Sequence, residues 1–95
     1  MTDKPQQVQI KADDTTLKGT YANMMQVSHT QEEFILDFMS FLPPQAMLTA
    51  RVVTSPGHLK RIIAALQDNL KKYEGQFGSV KASEAPESTF GFKAE

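Results

Sequence analysis

The chain has no cysteine, a formal net charge of only −1 and no long apolar run, and each absence excludes something. Without thiols there is no disulfide framework and no thiolate nucleophile, and a zinc ion would have to be held by two histidines and carboxylates. A near-neutral charge supplies no global field toward nucleic acid or an anionic membrane, so only local basic patches need weighing. The longest nearly apolar stretch, residues 34–42, is interrupted by Asp37 and Ser40. It falls far short of the roughly 20 apolar residues of a membrane-crossing helix. Residues 1–7 carry no apolar core of signal-peptide length. A cytoplasmic location without membrane association is therefore expected.

Within these limits the composition is that of an ordinary globular protein. Of 95 residues, 40% are apolar and 22% charged, enough apolar content for one core and too little charge for wholesale disorder. The chain divides into a flexible arm (1–7), a single domain (8–78) and a disordered tail (79–95). The tail is built mainly of Ser, Lys, Ala, Glu and Pro, with Phe90-Gly91-Phe92 near its end.

The fold class expected is α+β: a four-stranded antiparallel sheet followed by one long amphipathic helix. Val8, Ile10 and Ala12 alternate with Gln9 and Lys11, the period of a half-buried strand. Asp13-Asp14-Thr15-Thr16 reads as a turn cluster. Residues 20–28 form a second extended run. Residues 34–42, rich in aromatic and branched side chains, give the strongest strand, stopped by Pro43-Pro44. A fourth strand occupies residues 46–54. Ser55 is placed to cap a helix and Pro56 to begin it. Leu59, Ile63, Leu66, Leu70, Tyr73 and Phe77 then follow in alternating steps of four and three, with Ile62 widening the stripe. Asp68 stands one turn before Lys72, within ion-pairing reach, and Gly75 or Gly78 ends the helix.

The third strand is apolar on both sides, and this drives the functional reading. A loop centred on Pro44 sets Phe41 opposite Met47, Met39 opposite Thr49, Asp37 opposite Arg51 and Ile35 opposite Val53. On the other face it sets Leu36 against Val52 and Phe38 against Ala50. One helix covers one face, and Phe34, Leu36, Phe38, Ala50 and Val52 offer it the cleaner seat. Ile35, Met39, Phe41, Met47 and Val53, around an Asp37–Arg51 pair, are then left as an interface for a homo-oligomer, a dimer or larger, or for another protein.

Chemistry is sparse. His29 lies in a polar loop and His58 in the first helical turn, neither with the converging carboxylates or nucleophile that metal binding or acid–base catalysis needs. Gly75-Gln76-Phe77-Gly78 follows a helix and cannot cradle phosphate at its start. Lys60, Arg61, Lys71 and Lys72 are the candidates for a weak nucleic-acid contact, though no aromatic stacking set accompanies them. No catalytic residue, metal ligand or cofactor is expected. The first expectation is a non-enzymatic oligomeric binding or assembly module. A holdase or adaptor for client chains comes second, and a nucleic-acid-binding accessory protein third.

Two stretches carry a resemblance. Gly19-Thr20-Tyr21-Ala22-Asn23, Val27-Ser28-His29, Glu33-Phe34 and Leu36-Asp37-Phe38 resemble the first half of a family of short prokaryotic proteins catalogued only as a domain of unknown function. Arg51-Val52-Val53, Ser55-Pro56, His58, Lys60, Ala65-Leu66, Asn69, Lys72-Tyr73-Glu74 and Phe77-Gly78 resemble its second half, so that the match runs from Val8 to Gly78. Gly57 and Gly75 depart from the longer polar residues of that pattern. The family has no established activity, so the resemblance assigns no functional residue. In architecture alone, strands followed by a long helix are similar to the SecB export chaperone, an oligomer that holds unfolded chains.

Overall fold

The computed structural model describes residues 5–84. Its elements in chain order are a short helix α1 (Asp14–Lys18), strands β1 (Met24–His29), β2 (Phe34–Leu42) and β3 (Gln45–Thr54), and the helix α2 (Pro56–Phe77). The three strands form one antiparallel sheet in the order β1-β2-β3. The protein is thus α+β, with an antiparallel sheet followed by a long helix.

The expected first strand is not in that sheet. Residues 8–12 have no regular structure, and Val8 and Ile10 are 76% and 93% exposed. Alternation makes a segment competent to pair, but a strand exists only where a neighbouring edge accepts its backbone bonds. The Asp13–Thr16 cluster is likewise a helical turn and not a plain reversal. The Asp13 carboxylate accepts from the Thr16 amide at 2.7 Å, the bond of an N-cap, and Gly19 closes α1 at φ 81°.

As the middle strand, β2 contributes all the deeply buried side chains among the described residues: Leu36, Asp37 and Met39. Its hairpin with β1 turns through Thr30, whose hydroxyl accepts from the amides of Glu32 and Glu33, both at 3.2 Å. At the other end the amide side chain of Asn23 extends the ladder beyond β1. It donates to the Phe41 carbonyl at 3.0 Å and accepts from the Phe41 amide at 2.6 Å, while its own backbone N–H reaches the Met39 carbonyl at 3.0 Å.

The β2–β3 register agrees with the expected one for half its length. Ile35 faces Val53, Leu36 faces Val52, Asp37 faces Arg51 and Phe38 faces Ala50. Beyond Phe38 it shifts by one, so that Met39 faces Leu48, Ser40 faces Met47 and Phe41 faces Ala46. The turn uses two residues, Pro43 and Pro44, between the paired Leu42 and Gln45. A ladder that starts there reaches Arg51 one residue too long, and β3 absorbs the surplus as a bulge at Thr49. The Thr49 hydroxyl secures the bulge by donating to the Phe38 carbonyl at 3.0 Å.

Helix α2 begins as expected, with the Ser55 hydroxyl accepting from the His58 amide at 3.1 Å and Pro56 at the first position. It ends at Gly78, not Gly75. Gly78 has φ 97° and its N–H reaches the Glu74 carbonyl at 2.9 Å, while Glu74 Oε2 accepts from the Val80 amide at 2.9 Å. The two glycines that depart from the family pattern are both helical. Apart from its chain neighbours and the backbone of its own helix, neither has a heavy atom within 4 Å of where a Cβ would stand, so no close approach demands a glycine there.

The expected seat of this helix on the sheet is not realised. Leu59 and Ile62 are partly covered, but Ile63, Leu66, Leu70, Tyr73 and Phe77 all remain between 47% and 65% exposed.

Asn23→Ala tests the side-chain clamp at the open end of the β1–β2 ladder. It removes two bonds to Phe41 without touching the core, so a loss of about 1–2 kcal/mol is expected in denaturant unfolding. Amide exchange at Phe41 should accelerate, while exchange at Leu36 should follow only the global change.

Candidate interaction surfaces

Side chains of β2 at 35, 37, 39 and 41 share one sheet face, and the cross-strand partners extend it. Met24, Gln26 and Ser28 join it from β1, and Ala46, Leu48, Arg51 and Val53 from β3. Of the residues expected there, Ile35, Asp37, Met39, Phe41, Arg51 and Val53 are indeed brought together. Met47 is not. The bulge turns it to the opposite face, across from Ser40, and Leu48 takes the place beside Met39. Leu48 escapes a period-two reading because the surplus residue appears only once the two-proline turn is counted against the Asp37–Arg51 pairing.

A polar row, Gln26, Asp37 and Arg51, crosses the middle of this face. Asp37 is only 6% exposed. It is held by a two-pronged contact, Arg51 Nε donating to Oδ1 at 2.6 Å and a terminal guanidinium nitrogen to Oδ2 at 2.9 Å. The Arg51 hydrogen bond holds the Asp37 carboxyl below its ordinary pKa of 3.8; burial pushes the other way and loses, and the arginine charge adds to the lowering. The same bond raises the pKa of the Arg51 guanidinium above its ordinary value. The arginine side chain itself is half exposed while the carboxylate is buried. Such a pair fixes which residues stand opposite one another more than it drives burial.

The second surface is the stripe of α2. Its six residues keep the four-three alternation without interruption from Leu59 to Phe77, and the rings of Tyr73 and Phe77 lie one turn apart with centroids at 4.9 Å. The opposite side is solvated: Lys72 pairs with Asp68 at 3.2 Å, both side chains well exposed. Spacing could have flagged this surface, because a strict four-three stripe is narrower than the face a helix needs to cover a sheet and matches a helix–helix seam.

The basic residues do not converge. At 100° per residue, Lys60 and Lys71 fall on one line of the helix and Arg61 and Lys72 on another, with about 16 Å of axial rise between the members of each line. The Asp68 bond already compensates Lys72. His29 stacks against Phe34 with ring centroids 5.2 Å apart, and the backbone amide of His58 serves the Ser55 cap. Among the described residues no three His, Asp or Glu side chains gather where they could hold a metal, and no helix is long and apolar enough to cross a membrane.

A three-stranded antiparallel sheet with an appended helix, carrying two apolar surfaces and, among the described residues, no cluster that could hold a metal, defines a small α+β domain. The chain belongs to the family described as Protein of unknown function (DUF3467), whose pattern matches residues 1–82. No curated protein and no solved structure matches it.

The Asp37 pKa carries a sign that can be measured. Because the folded value lies below the unfolded one, the pair's contribution to stability is fully present above pH 3.8 and is lost as pH falls through the lowered value. Arg51→Gln removes the guanidinium hydrogen bond and charge and leaves burial, so the Asp37 carboxyl carbon should titrate above 3.8 by NMR in that variant. An unchanged midpoint would show that Arg51 does not govern it.

Proposed function

We propose that the chain is a non-enzymatic assembly module that works as a homo-oligomer, with the α2 stripe as the surface through which copies join. The observation that carries this reading is the exposure of Ile63, Leu66, Leu70, Tyr73 and Phe77 along one side of a 22-residue helix. Covering a large apolar side chain is worth roughly 1.5–3 kcal/mol. The described part of the chain buries only Leu36 and Met39 as apolar core, and small domains with so little core depend on further burial between chains. A contiguous apolar strip of this length marks an interaction site.

The sheet face around Asp37 and Arg51 plays the lesser part in this reading. Met39, at its centre, is 4% exposed and serves the sheet's own packing, while Val53 at its margin is half exposed. Client binding in the manner of a holdase would draw on the same stripe, and it becomes the better reading if copies do not associate.

Light scattering behind a sizing column decides between them. At tens of micromolar the parent should run as a dimer or larger, and its mass should fall on dilution. Leu66→Glu introduces charge where the side chain is 65% exposed in the single chain, so it should yield monomer. Lys71→Glu, off the stripe, should elute like the parent. A parent that is monomeric at every concentration would remove the oligomer reading.

A further inference from the structure

We propose that α2 packs against α2 of a second copy as an antiparallel pair, two-fold symmetric about a point level with residue 68. This deepens the oligomer reading and rests on it. Three independent features of the helix select this arrangement over a parallel one.

The first is layer matching. In heptad terms Ile63, Leu70 and Phe77 take the a positions and Leu59, Leu66 and Tyr73 the d positions. Antiparallel helices pack a against d, and here the positions mirror about residue 68 with nothing left over. Leu66 meets Leu70 of the second copy, Ile63 meets Tyr73, and Leu59 meets Phe77. Every aromatic ring is opposed by an aliphatic side chain. A parallel pair would set Tyr73 on Tyr73 and Phe77 on Phe77 at one end and leave Leu59 on Leu59 at the other.

The second is charge. Lys60 and Glu74 each directly follow a d residue and flank the stripe on the same side. Antiparallel packing brings Lys60 to Glu74 of the second copy at both ends of the pair, whereas parallel packing opposes Ile62 to Gln67 and Asn69 to Glu74, with no ion pair in either. Glu74 Oε2 is engaged by the Val80 amide, and Oε1 is left for the lysine.

The third is the helix dipole. Glu74 stands in the last full turn of its own helix, where the carbonyl end disfavours an anion. In the antiparallel pair it lies beside Lys60, in the N-terminal half of the other helix and away from that helix's carbonyl end. The outward positions agree with all three: Asp68 and Lys72, at f and c, are the well-exposed ion pair.

The natural absence of cysteine makes the test direct. Arg61→Cys, Asp68→Cys and Gly75→Cys in the full chain each place one nitroxide label on the outer side of the helix, all at f positions. Distances between labels are read by double electron–electron resonance, with the mass of each sample read by light scattering. The expected result is the shortest distance at residue 68 and longer, similar distances at 61 and 75. There the two labels are offset along the axis by roughly 14 residues, about 21 Å. Three equal distances would mean a parallel pair and overturn the proposal. Dimer mass with no short distance at residue 68 would place the seam elsewhere and overturn it while leaving the oligomer reading intact. Monomer mass would sink both. Lys60→Glu and Glu74→Lys should each weaken the dimer by about fivefold, and the double swap should restore it; a double variant weaker than either single one would refute the register.

Discussion

Hydrogen bonding of β2 on both of its edges is the interaction on which the rest depends. Only this strand has a neighbour on either side, and only it contributes deeply buried side chains among the described residues. Its pairing places Asp37 against Arg51, positions Thr49 as a bulge and hands the chain from β3 into α2 through the Ser55 cap. The side-chain amide of Asn23 shows how strongly the ladder is maintained: where β1 ends, a side chain takes over the backbone's role and keeps Phe41 paired.

That sheet pairs its middle strand on both edges and still leaves much of the apolar surface of the described residues uncovered. Three strands bury the middle one and leave the outer two with half-exposed side chains, among them Val27, Val52 and Val53. The helix that follows adds a second unburied stripe in place of a cover. Burial is therefore what the described residues lack. This is the physical ground of the proposed association between copies.

Much of this was legible from residue types alone. The β2 strand, the Ser55–Pro56 start of α2, the Asp68–Lys72 bond and the Asp37–Arg51 pairing follow from local rules: alternation, capping, one-turn spacing and opposite charge across a hairpin. What escaped depends on sums over distance. Residues 8–12 alternate like a strand, yet alternation says nothing about whether an edge will accept it. The seating of α2 is not legible because an apolar helix stripe and an apolar sheet face are each compatible with the other without having to pair. The four-three spacing of Leu59 through Phe77 is equally that of a helix–helix seam. Met47 lies on the face opposite to the one alternation predicts because one surplus residue at Thr49 reverses the alternation between the bulge and the turn.

The bulge also governs where the hairpin tolerates changes of length. Thr49 has no partner across the ladder, and the residues on its two sides, Leu48 and Ala50, face consecutive positions of β2. A chain shortened at that point would keep every cross-strand neighbour it now has, including Arg51 opposite Asp37. Loss or gain of a residue elsewhere within β3 would set part of the strand out of step, turning inward-facing side chains to solvent. Relatives that differ in length between Gln45 and Thr54 are thus expected to differ at position 49, where the spacing is free of the pairing it separates.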